Sequence, residues 1–202
     1  CSSDLLCSEV VDTTDAVYSL GINDDFSFEL DILSQKSINI FMYDGSVEHN
    51  FLNPNMLFTE QYVNKKYFLD ELNKNKHLNK NNLLLKCDIE GGEYELFCDL
   101  SNDVLNHFSQ LTFEIHYINN NISNCEKIFS NLNKCFTLFH IHGNNWASSH
   151  EDIPDVLELS YIRNDLVKEK KALEKPLPDL LLDSPNNINY PDRSEEHTSE
   201  LQ

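Results

Sequence analysis

Positive charge is scarce in this chain. Against 34 Asp and Glu stand only 15 Lys and Arg, a formal net charge of −19 over 202 residues. Such a surface repels a phosphate backbone, and the densest basic run, residues 168–171, is interrupted by Glu169. Nucleic acid is therefore not expected as a partner. Long apolar runs are missing too: none approaches the roughly 20 residues that span a bilayer, so no membrane-spanning segment is expected. The six cysteines show neither a C-x-x-C spacing nor a tight His–Cys pattern, which argues against structural zinc. Cys87 reads as a small buried thiol, and Cys125 and Cys135 as a pair that a secreted protein would be able to bridge. Glycine is sparse as well. The first Gly loop is G-I-N-D-D, without the multiple glycines of a dinucleotide fingerprint.

Both ends of the chain call for comment. It opens at Cys1 rather than Met, so the N-terminus is read as truncated, and a lost leader or anchor stays open. The compartment is open with it: cytoplasm in a bacterial-like setting, the secretory lumen if an anchor once preceded. The last ten residues, RSEEHTSELQ, match one reading frame of a common sequencing-library adapter. Residues 193–202 are therefore set apart from residues 1–192, which are expected to form one domain. Removing them takes out Arg193 against Glu195, Glu196 and Glu200, so the charge moves from −19 to −17. The acidity belongs to the domain.

What is present is a regular alternation of apolar runs and helical patterns. Residues 16–20 (AVYSL) read as a buried strand closed by Gly21, and Phe26, Leu30 and Leu33 then fall on one helical face, with Asp24 and Asp25 at its start. Residues 38–43 form the next apolar run, stopped by Asp44-Gly45. Strand, glycine turn, helix and strand make a βαβ unit, which predicts an α/β fold with a mostly parallel sheet. Further strands are expected at 56–58, 83–87, 111–115, 136–141 and 156–162. Helix is expected around 67–75, 94–100, 104–108 and 125–132. Pro176, Pro178, Pro185 and Pro191 mark the rest as an extended C-terminal segment.

Polar residues collect where the apolar runs stop: Gly21-Ile22-Asn23, Asp44, Asp88-Ile89-Glu90, Glu114-Ile115-His116 and His142-Gly143-Asn144. Open parallel sheets bind ligands outside the carboxyl ends of their strands, so this pattern predicts a ligand site there. Asp44 follows Gly21 at roughly the 20-residue spacing of an acid that binds ribose hydroxyls; a turn aspartate is the competing reading. Asp24 and Asp25 occupy the place where a pyrophosphate would need free N–H groups and little negative charge. A cationic cofactor without phosphate suits such a loop, and S-adenosylmethionine, with its sulfonium and ammonium, is one. Asp88, Glu90, His116 and His142 are the candidate catalytic groups, His116 for its titration range. Glu93 reads as a cap rather than a catalyst, and Trp146 as a surface aromatic or a platform for a sugar ring.

VYSLGINDDFSFELDI, INIFMYDGSV, LLLKCDIEGGEYELF, LTFEIHYI, FHIHGNN and PDVLELSYIRND, in that order, resemble the FkbM-type S-adenosylmethionine-dependent methyltransferases. The likeness runs over residues 17–191, and the D-I-E-G-x-E and H-x-H-G-N-N blocks are its specific parts. It implies the class I methyltransferase fold, a Rossmann-like seven-stranded, mostly parallel sheet with helices on both faces and the cofactor over the first two strands. It also implies methylation of hydroxyl oxygen on a sugar or small molecule, so the expected partner is a small-molecule or glycan acceptor; oligomeric state is left open. Gly21, Ile22, Asn23 and Asp44 fall at the cofactor positions, with Asn23 where the usual loop has a second Gly. No metal is assigned. Two alternatives stand beside this reading. One is a non-catalytic binding protein on the same fold. The other is a metal-dependent enzyme with Asp88, Glu90, His116 and His142 as mixed oxygen and nitrogen ligands.

Overall fold

The computed structural model describes residues 5–147, 149–150, 153–170, 178, 183–189 and 192. Its centre is one seven-stranded sheet. In chain order the strands are β1 (Ala16–Leu20), β2 (Ile40–Asp44), β3 (Met56–Glu60), β4 (Leu83–Cys87), β5 (Phe108–Ile115), β6 (Phe136–Gly143) and β9 (Leu157–Arg163). Two short strands, β7 (Ser149–His150) and β8 (Ile153–Pro154), pair with each other apart from it. The spatial order is β3-β2-β1-β4-β5-β9-β6. Neighbours are parallel from β3 to β5, while β9 runs antiparallel between β5 and β6. This is the Rossmann-like α/β sheet of the class I methyltransferase fold, as expected. Among the described residues no helix is long and apolar enough to cross a membrane.

Helices cover both faces unequally. On one face α3 (Lys65–Lys74), α4 (Glu93–Phe97), α5 (Asn102–Leu105) and α6 (Ile122–Cys135) bury Phe68, Leu72, Leu96, Leu105, Ile128 and Leu132 against Tyr18, Leu85, Leu111 and Phe113. On the other, α1 (Ser8–Val11) and α2 (Ser27–Gln35) bury Val11 and Ile32 against Val17, Ile40, Met42 and Leu84. Beyond β4 this second face turns polar. Lys86, Gln110, Thr112, Ser160, His140 and His142 are all buried there. Buried polar groups need partners, and part of the supply comes from chain ends. Gln110 mimics a strand neighbour, accepting from the Cys7 amide at 2.7 Å and donating to the Cys7 carbonyl at 3.2 Å. Asp183 and Asp192 reach His140 and His142.

Four expectations need correction. On the α2 face Phe26 and Leu33 pack against the core as expected, but Leu30 is 47% exposed and the buried positions are Glu29 and Ile32. The Ser19 hydroxyl donates to the buried Glu29 carboxylate and so holds that side chain inward. Phe108 opens β5 instead of ending a helix, and His142 and Gly143 lie within β6 instead of after it. Residues 157–161 of β9 are all buried, because both flanks and both faces of that strand are covered. Cys125 and Cys135 both belong to α6 and are free thiols. Ten residues of helix separate them by about 15 Å, and a disulfide needs Cα atoms within about 7 Å. Residues 193–202, Pro176 and Pro191 lie outside the described residues.

Candidate functional site

Strand register lines the sequence-predicted residues up along one edge. Glu60 pairs with Asp44, and Leu20 pairs with both Tyr43 and Cys87, so Gly21 follows between Asp44 and Asp88. Cys87 pairs with Phe113, which sets Asp88 beside Glu114; Glu114 is opposite Glu158, and Glu158 opposite His142. The row Asp44, Gly21, Asp88, Glu114, Glu158, His142 thus crosses six strands at the carboxyl end of the parallel ones. Strands ending in register are what turn scattered polar residues into a site.

At the β1 and β2 end, Gly21 has φ +76 and its amide donates to the Tyr43 carbonyl. A Cβ there would overlap the Asp88 carbonyl oxygen, so only glycine lets β1 and β4 approach this closely. Ile22 is buried beneath the turn. Asn23 takes the left-handed conformation, φ 45, that a second glycine would have taken, and asparagine is among the residues that tolerate it. Its amide donates to Asp44 Oδ2 at 2.9 Å, while Asp44 Oδ1 accepts the Ser46 amide at 2.7 Å and hydroxyl at 2.6 Å. Burial would raise the Asp44 carboxyl, but these donors outweigh it and hold it below the usual carboxylate range. His49 Nε2 donates to the Asn23 carbonyl at 2.7 Å from a cluster with Phe26, Phe51 and Phe58. Asp25 accepts the Ser27 amide at the start of α2. The result is a rigid, acidic turn.

Next to it, between β4 and β5, lies a nest of carboxylates around one imidazole. The D-I-E-G-G-E loop bends through two left-handed residues, Glu90 (φ 51) and Gly91 (φ 99), and folds back on Glu93. Glu93 is fully buried and accepts the Ile89 amide at 3.0 Å and the Gly91 amide at 2.9 Å. It therefore caps the loop before α4, close to the capping role expected of it. Glu93 Oε1 also meets His116 Nδ1 at 3.2 Å. The opposite nitrogen, His116 Nε2, faces Glu90 at 3.5 Å, Glu114 at 3.6 Å and Asp88 at 3.8 Å. Asn144 donates to the other oxygen of Glu114 at 2.7 Å. Burial alone would depress His116, but the Glu93 hydrogen bond and the charges of Glu93, Glu114 and Asp88 raise it. Burial, with Asp88 beside it, raises Glu114 as well.

The comparisons with known proteins come to little. No family model matches the sequence, and no curated protein matches it either. Among solved structures the chain is similar to one titled a fibrillarin/Nop5p complex, at 13% identity and a TM-score of 0.46, over 78% of this chain and 74% of that one. A likeness of that size bears on neither the activity nor the partners of this chain.

Three of the four candidate catalytic residues, Asp88, Glu90 and His116, meet in the nest, and His142 does not. It lies two strands away, Nδ1 on Glu158 at 3.1 Å and Nε2 on Asp192 at 3.0 Å, and these acids raise it to about 9 although burial opposes them. Trp146 is 70% exposed, its indole N–H donating to the Asn186 carbonyl at 3.1 Å. Glu114, which the sequence placed among the strand-end polar residues, is the member of the nest left out of the catalytic candidates. Its signal was an acid alternating with Gln110 and Thr112 inside an otherwise apolar strand.

Proposed function

We propose that this chain is an S-adenosylmethionine-dependent methyltransferase of the FkbM type, acting on a hydroxyl oxygen of a sugar or small molecule. The observation that carries the reading is the juxtaposition, through Gly21, of an acidic cofactor turn and a carboxylate–imidazole nest at the carboxyl edge of the sheet. The donor set fits the cofactor. Asp44 is held ionised with its geometry fixed, as an acceptor for ribose hydroxyls must be, while Asp24 and Asp25 favour a sulfonium and ammonium and disfavour a pyrophosphate. Bound there, the cofactor would supply an electrophilic methyl group.

The chain's own residues would do the rest. In the transfer the acceptor oxygen forms a bond to the methyl carbon, the carbon–sulfur bond breaks with its electron pair going to sulfur, and the hydroxyl proton must leave. Alignment of the two reactants supplies much of the rate. Glu90, whose side chain is the exposed carboxylate of the nest, is placed to take the proton, and the buried Glu93 fixes the loop that presents it.

Calorimetry tests the cofactor assignment. S-adenosylmethionine or its demethylated product should bind, and at a hundredfold excess over Kd should stabilise the fold by about 2.7 kcal/mol. Asp44→Ala should weaken that binding at least tenfold while the protein stays folded. Heat from NADH with none from S-adenosylmethionine would refute the reading.

A further inference from the structure

His116 is anomalous for a buried histidine. Its side chain is more than nine-tenths buried, yet Nε2 makes no hydrogen bond. Three carboxylate oxygens stand around that nitrogen at 3.5, 3.6 and 3.8 Å, beyond hydrogen-bond reach and inside ion-pair range. Four carboxylates, Asp88, Glu90, Glu93 and Glu114, thus converge on one imidazole.

The outer contacts are arranged so that the inner atoms converge. Glu93 anchors Nδ1 and thereby aims Nε2 inward, the carboxylate–histidine arrangement that orients imidazole ligands. Asn144 holds Glu114 Oε1 and leaves Oε2 facing Nε2. One donor atom each from Asp88, Glu114 and His116 lies within 4.8 Å of the others. Ligands of one ion at about 2.1 Å stand about 3 Å apart when adjacent and about 4.2 Å apart when opposite, so His116 Nε2, at 3.6 Å from Glu114 and 3.8 Å from Asp88, need close on each by less than about 1 Å to complete such a set. We propose that Asp88, Glu114 and His116 form a site for a divalent cation of the manganese kind, which accepts oxygen and nitrogen donors together. The ligand set differs from the one expected from sequence: Glu114 enters, and Glu90 and His142 drop out. The site's existence rests on this geometry alone; its use rests on the methyltransferase reading, in which the ion would bind the acceptor oxygen and ease loss of its proton, with Glu90 left to receive it.

The test is Mn2+ titration of the full chain without cofactor, followed by the paramagnetic resonance signal of free Mn2+. One ion per chain should bind, EDTA should remove it, and Glu114→Gln should weaken it by more than tenfold. Glu93→Gln should weaken it as well, by the 10–100-fold usual for loss of an outer partner. Asp44→Ala should leave it unchanged. No stoichiometric binding by the wild-type chain would overturn the proposal whatever the variants do, and so would equal binding by wild type and Glu114→Gln. Because S-adenosylmethionine is absent, failure here leaves the cofactor assignment standing, and failure of the calorimetry leaves the ion site standing.

Discussion

At the scale of single residues, Gly21 and Glu93 carry the site's geometry by different means. Gly21→Ala adds a methyl where the backbone is left-handed and the Asp88 carbonyl is already in the way. It should cost at least about 2 kcal/mol, read as a lower urea midpoint with an unchanged slope. A variant as stable as wild type would mean that β1 and β4 do not approach as described. Glu93→Gln is nearly isosteric, but its new NH2 must face either a backbone amide or His116. A buried donor left without an acceptor costs about 1–3 kcal/mol, so the same urea experiment should show a loss of that size. Asp44, Gly21 and Asp88 were legible in the sequence because each ends an apolar run, and strand ends in such a sheet lie at one edge. Glu114 was legible as a strand-end acid but not as a partner of His116, since a carboxylate inside a strand reads as a surface position unless its neighbours across the sheet are known.

Among elements, the contrast is between the helical face and the strapped one. The polar half of the second face holds residues 183–189 and Asp192 through His140–Asp183 at 2.9 Å, Asn186–Glu158 and His142–Asp192. His142 is raised to about 9 by Glu158 and Asp192, with His140 and Asp183 on the same strip. A histidine raised above its unfolded value near 6.5 stabilises fully below that value and loses the contribution as pH rises through about 9. The gap in Tm between wild type and His142→Gln should therefore be widest near pH 6 and close towards pH 10; a constant gap would show that the ring contributes only packing. The strands were legible from apolar runs, and α3 and α6 from their spacing. The start of β5 was not. Ser109 and Gln110 look like loop residues until the Cys7 backbone is seen to satisfy Gln110.

For the whole molecule, residues 193–202 add charge and no apolar face, so a chain ending at Asp192 should melt within a degree or so of the full chain; a drop of several degrees on deletion would give that segment a part in the fold. The α/β class was legible from the alternation of runs. The place of β9 was not, because nothing in residues 157–163 says that they insert between two earlier strands. That insertion has a consequence for synthesis. Until residues 136–163 leave the ribosome, β5 is an open edge, eight residues that are all buried in the finished molecule. At about 5–20 residues per second the exposure lasts a few seconds, long enough for another nascent chain to pair with it. Glu114 sits on that edge, and an inward-pointing charge is one of the devices that discourage a wrong strand from docking. The carboxylate that the finished protein buries in its site would, on the unfinished one, act as a guard.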